Sequence, residues 1–129
     1  MERLIEKLTI AKKAVLTLQA LEKEAYSEIV RDASIQRFEY SFEAVWKAAK
    51  QYLKEVEGLD ISSPKGVIRA CFQIQILDEK QTELALEMVD DRNLTSHTYN
   101  EAVSDKIYVR IDIYRQIMLE WLTQLENRF

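Results

Sequence analysis

Two glycines and one proline are all that punctuate 129 residues, where average usage would supply roughly nine and six. Chains made of many tight turns draw heavily on both residues. Sandwiches and barrels are therefore excluded, and so are Rossmann units and P-loops, whose glycines let the backbone turn sharply or approach a phosphate. What remains is an all-α chain. It is predicted as an up-and-down antiparallel bundle of four long helices plus one short helix. With 47% apolar and 31% charged residues, this length suits a single helical domain over residues 1–129.

Apolar periodicity places the helices. Leu4, Leu8, Ala11, Val15 and Leu18 recur at steps of three and four, which predicts a first helix over roughly 1–22. Ile35, Phe38, Phe42, Val45, Ala49, Tyr52 and Val56 continue the same alternation in a second helix over 27–57, with Glu22–Ser27 as either a break or a bend. Gly58 suits the position just past its end. Ser62-Ser63-Pro64 then supplies a capping serine followed by proline at the first helical position, opening a short helix over 64–77. Asp78 and Gln81 have the spacing of a capping box, so a fourth helix runs over 79–95. Val103, Ile107, Tyr114, Met118, Trp121 and Leu125 mark one last helix reaching nearly to Phe129. The aromatic positions Phe38, Phe42, Tyr52, Tyr114 and Trp121 all fall on these stripes, where packing explains them.

The chemistry is narrowed by scarcity. One cysteine and one histidine make neither an intrachain disulfide nor a conventional zinc site, so no metal and no cofactor is expected. Cys71 lies in the apolar run 67–77 and reads as a small buried hydrophobe. A net charge of −4 disfavours gripping DNA by charge alone, so any nucleic-acid contact must be local. There is no 18-residue apolar stretch and no charged-then-apolar leader. A cytoplasmic location without membrane contact is the expectation.

Polar residues concentrate where the fourth helix should end, from Asp90 to Asn100. Arg92 and His97 are five residues apart, about 140° round an ideal helix, so they converge only if the helix stops between them. Ser96 and Asn100 make such a stop plausible. A fixed cation would then lie beside an imidazole able to exchange protons near neutral pH, a pairing that suits a phosphodiester. A plainer account also fits: Arg92 caps a helix end that favours a cation, and His97 satisfies a loop carbonyl.

The run Arg92-Asn93-Leu94-Thr95-Ser96-His97-Thr98-Tyr99 resembles the signature of the HEPN superfamily: an Arg, a polar residue, a few more positions, then His-x-Tyr. The stretches Gln36-Arg37-Phe38-Glu39-Tyr40-Ser41-Phe42-Glu43-Ala44-Val45-Trp46-Lys47 and Ser63-Pro64-Lys65-Gly66-Val67-Ile68-Arg69-Ala70 are similar to its subgroup of nucleotidyltransferase substrate-binding proteins. This resemblance spans nearly the whole chain.

It implies a helical homodimer with Arg–His clefts near the dimer interface and a minimal nucleotidyltransferase as partner. It also implies one of two jobs. In one, the protein is a substrate-binding subunit and toxin half of a toxin–antitoxin pair, binding nucleotide or RNA phosphate. In the other, it is an active metal-independent endoribonuclease toxin whose Tyr99 is AMPylated by the nucleotidyltransferase antitoxin. By the same resemblance Arg92 and His97 are the candidate catalytic residues, Asn93 and Tyr99 the substrate-binding ones, and Tyr99 the modification candidate. Nucleotidyl transfer itself needs metal-holding carboxylates and a Gly-Ser phosphate turn. With glycine only at Gly58 and Gly66, the chain has no such turn and is not a transferase on its own.

Overall fold

Four of the six helices start at a side-chain oxygen that accepts a backbone N–H left over by the first turn. Ser27 accepts from Val30 N at 3.0 Å and begins α2 (Glu28–Val56); Ser63 accepts from Gly66 N at 3.1 Å and begins α3 (Pro64–Gln73), with Pro64 in its first turn. Asp78 and Gln81 form the reciprocal capping box that opens α4 (Glu79–Leu94), at 2.8 and 2.9 Å. Asn100 caps α5 (Glu101–Tyr108) through Ala102 N and Val103 N. With α1 (Glu2–Gln19), α6 (Ile111–Asn127) and a 3₁₀ turn at Thr95–His97, these helices make up the computed structural model, which describes residues 1–129. The chain is all-helical. Between α1 and α2 there is a true break, and the Ser27 side chain marks its end.

Two expectations change. The short third helix ends at Gln73 and not at Leu77, because Gln75 turns into the left-handed region at φ 64°. Its N–H bonds to Phe72 O at 3.0 Å and the Ile76 N–H to Cys71 O at 2.9 Å, a Schellman closure that redirects Ile76 and Leu77 into the core. The predicted single last helix is two, α5 and α6, interrupted at Val109 and Arg110. No glycine or proline signals this interruption. It coincides with the ion pair that Arg110 makes to α4, described below. The count is thus six α-helices in place of five, with α5 as a second short one.

Helix α2 touches all five other α-helices. Thirty-one buried apolar residues form one cluster around it, and Phe38, Phe42, Tyr52, Tyr114 and Trp121 are at most 1% exposed. Cys71 is a fully buried free thiol whose ionisation is pushed up to about 12 by burial, in keeping with a packing role. At Gly66 an added Cβ would meet Ser63 Oγ at 2.7 Å and Ile61 Cγ2 at 2.8 Å, so the α3 cap depends on this residue having no side chain.

Gln75 is exposed and holds a conformation that costs a non-glycine residue about 1 kcal/mol. Gln75→Gly is therefore expected to raise stability by about that amount. Urea unfolding should show a higher midpoint at an unchanged m-value. A lower midpoint would mean that the side chain contributes more than the backbone strain costs.

Candidate functional site

The polar run at 90–100 is first of all a turn that satisfies its own carbonyls. Thr95 Oγ1 donates to Arg92 O at 2.6 Å, Ser96 Oγ to Asn93 O at 3.2 Å, and Ser104 Oγ, from α5, to Thr98 O at 2.8 Å. The first two bonds take up acceptors that the end of α4 leaves free, and the third ties the turn to α5. Helix α4 stops at Leu94, between Arg92 and His97, and the 3₁₀ turn carries His97 out of its last turn.

The four candidate side chains do not form one constellation. Arg92 Nε lies 2.8 Å from Glu43 Oε1 on α2, an ion pair whose N–H is not aligned for a hydrogen bond. His97 Nδ1 lies 3.3 Å from the Tyr99 hydroxyl, and the two rings meet edge to face with centroids 5.9 Å apart. Tyr99 is 82% exposed. Asn93 is exposed and its side chain makes no hydrogen bond within the chain. No hydrogen bond joins Arg92 to His97. Arg92 sits in the last turn of α4 and is held toward α2, while His97 lies in the 3₁₀ turn that follows and faces solvent.

The neighbouring aspartates are engaged elsewhere and do not hold the Arg92 guanidinium. Asp90 pairs with Lys65 of α3 at 3.0 Å. Asp91, 1% exposed, receives both Arg110 Nη1, at 2.9 and 3.2 Å, and the Tyr114 hydroxyl at 2.6 Å, while Arg110 and Tyr114 also reach Glu87. The Asp91 carboxylate hydrogen bond in turn holds the Arg110 guanidinium proton more tightly than usual. This network anchors the end of α4 to α6, one residue before Arg92.

A second clamp holds the other side of the turn. Arg31, 2% exposed, donates to Glu101 at 2.6 Å and Asp105 at 3.1 Å on α5 and to its neighbour Asp32. The Glu101 hydrogen bond above all raises the Arg31 pKa, and the same contact lowers that of Glu101. Glu43, Arg31 and Arg110 were not singled out in the sequence. Arg31 had a signal: counted back from Ile35, Phe38 and Phe42 at helical steps, the apolar stripe of α2 arrives at an arginine.

Residues 6–127 match the family model described as nucleotidyltransferase substrate binding protein like. The chain is also similar to a protein from Thermus thermophilus whose crystal structure aligns at 50% identity with a TM-score of 0.86, over 89% of this chain and 98% of that one. No curated protein matches it.

The buried hydroxyl of Tyr114 gives the anchor a measurable signature. Burial, then the carboxylates of Asp91 and Glu87, push its ionisation above the usual tyrosine range. The folded chain thus keeps a proton that the unfolded chain releases near pH 10. The stabilisation is complete below that pH and is lost as pH rises above it. Tyr114→Phe should cost about 1.5–3 kcal/mol in denaturant unfolding at pH 7, the usual worth of a hydrogen bond to a charged group. It should also flatten the fall in stability above about pH 10. An unchanged midpoint at pH 7 would show that Asp91 is held by Arg110 alone.

Proposed function

We propose a function from the premise that this chain belongs to the nucleotidyltransferase substrate-binding protein-like family. The family name itself implies association with a nucleotidyltransferase. The chain acts as a HEPN-type partner subunit of a minimal nucleotidyltransferase, working as a homodimer inside the cell, as the toxin half of a toxin–antitoxin pair. It binds nucleotide or RNA phosphate through Arg92, Asn93 and His97, and presents Tyr99 to the partner.

One observation carries this reading. Tyr99 stands 82% exposed with its hydroxyl 3.3 Å from His97 Nδ1, on the turn that follows Arg92. A half-site this open suits a surface that a second protein completes. The pairing also suits an acceptor. If the Tyr99 oxygen attacks the α-phosphorus of ATP, the bond to the bridging oxygen breaks and pyrophosphate leaves, and the phenolic proton can pass to His97 Nδ1. Asn93, free of partners in the chain, is available to a phosphate oxygen.

A second reading, the metal-independent endoribonuclease, is favoured by the other side of the imidazole. His97 is the one histidine, is exposed, and its Nε2 has no partner within the chain, so it is open to the sugar hydroxyl or leaving oxygen of an RNA. A dimer would supply two such groups, one as base and one as acid, with Arg92 stabilising the phosphorane. Arg92 must exchange Glu43 for the phosphate to do so. AMP on Tyr99 would then crowd His97 and silence it.

Co-expression with a minimal nucleotidyltransferase from the same organism should yield a complex that survives a sizing column, and incubation with ATP should add one AMP that Tyr99→Phe abolishes, read by intact mass. Separation of the two proteins at micromolar concentration would overturn the partner role. For the nuclease reading, His97→Ala should abolish RNA cleavage. Arg92→Ala should cost about two to three orders of magnitude, and Arg92→Lys should rescue poorly because a point charge does not reproduce a planar fork. Cleavage that persists in His97→Ala, or that EDTA stops, would overturn that mechanism.

A further inference from the structure

The net charge of −4 is unevenly spread. A hollow of about 300 Å³ between α1 and α2 is lined by Arg3 and Lys7 from α1 and by Lys47, Lys50 and Lys54 from α2, with Asp60 its one carboxylate. Arg3, Lys7, Lys50 and Lys54 take no part in any ion pair of the chain. Lys47 alone has a partner, Glu43, at 3.6 Å. Asp60, Glu43 beside Lys47 and Glu55 near Arg3 offset only part of this charge, and the excess of cations is mutually repulsive and costs stability. An anion in the hollow would relieve that cost.

The arrangement is linear. Lys47, Lys50 and Lys54 follow Glu43 at i+4, i+7 and i+11, which is one face of α2, and the three lysines span about 10 Å at 1.5 Å per residue. Neighbours on such a face are about 5–6 Å apart, so successive lysines can engage successive phosphates of an extended strand. Glu43 is also the carboxylate that pairs with Arg92. The cations therefore start beside the α4–α5 turn and lead away from it along α2, with Arg3 and Lys7 as a second edge.

We propose that the α1–α2 hollow is a second anion site that binds the phosphate backbone of a single-stranded RNA passing the α4–α5 turn. Its direction toward that turn rests on the RNA reading of Arg92 and His97. Binding in the hollow itself requires no chemistry at His97, so the two can fail separately.

The test titrates the full chain into a fluorescein-labelled single-stranded RNA of mixed sequence and follows anisotropy over a range of NaCl concentrations. Five cations at about 0.7 each predict a slope of log Kd against log salt of about 3 to 3.5. The double variant Lys50→Gln, Lys54→Gln should lower that slope by about 1.4 and weaken low-salt binding at least tenfold, with an unchanged helical circular dichroism spectrum. Arg92→Ala and His97→Ala should keep most of the slope even where they abolish cleavage or AMP transfer. A slope retained in the double lysine variant would overturn the proposal. So would poly-glutamate competing as well as the RNA, which would assign the hollow to an acidic protein segment. ATP displacing the strand through the same lysines would overturn it in favour of a mononucleotide pocket.

Discussion

Burial along α2 is the constraint on which the other elements depend. The helix has 29 residues, about 43 Å of length, and each of the other α-helices packs on it. No amphipathic helix of this kind is stable on its apolar face alone in water. Its partners bury that face, and each large side chain so buried contributes roughly 1.5–3 kcal/mol. Phe38 is the meeting point: its ring stacks on Tyr114 of α6 with centroids 5.4 Å apart and lies 6.4 Å from Phe42. Through that contact the helix that holds Arg31 and Glu43 is fixed against the helix that carries the Asp91 anchor.

Apolar packing sets where helices lie but is poor at setting register, because a Leu or Ile fits several places about equally well. The polar clamps do that work around the candidate site. Asp91 is buried among Arg110, Tyr114 and, through them, Glu87, and Arg31 is buried among Glu101, Asp105 and Asp32. In each clamp one charge is buried while its partners reach solvent, and leaving that buried charge alone is costly, so alternative registers are penalised. One clamp lies just before Arg92 and the other just after Asn100. The turn between them presents His97 and Tyr99 to solvent from a fixed frame, which is what a site completed by a second molecule requires.

Much of this was legible residue by residue. The stripes at Leu4–Leu18 and Ile35–Val56, the Ser63-Pro64 start and the Asp78/Gln81 box all act within one turn of chain, and each occurs where the local pattern places it. The end of α4 before His97 was legible for the same reason. The Schellman turn at Gln75 was not, since left-handed backbone is ordinarily a glycine position and glutamine gives no sign of it. Nor was the interruption at Val109 and Arg110, where the local sequence is helix-compatible and the guanidinium pairs with a carboxylate 19 residues back.

The sequence by itself determined the class of fold, because periodicity, caps and the shortage of glycine and proline are local properties that survive without knowledge of any neighbour, and particular residue runs such as 92–99 carried the family resemblance. It also showed that there is one side chain, His97, whose ordinary titration range lies near neutral pH. Only the tertiary structure decided what those side chains face. That Arg92 turns to Glu43, that His97 meets Tyr99, that Asp91 serves an anchor and not the guanidinium beside it, and that five cations converge between α1 and α2 are all pairings made once helices pack. Charges along a chain have many candidate partners at comparable sequence distance, and the choice falls to the apolar core, which brings particular helix faces within a few ångströms of each other.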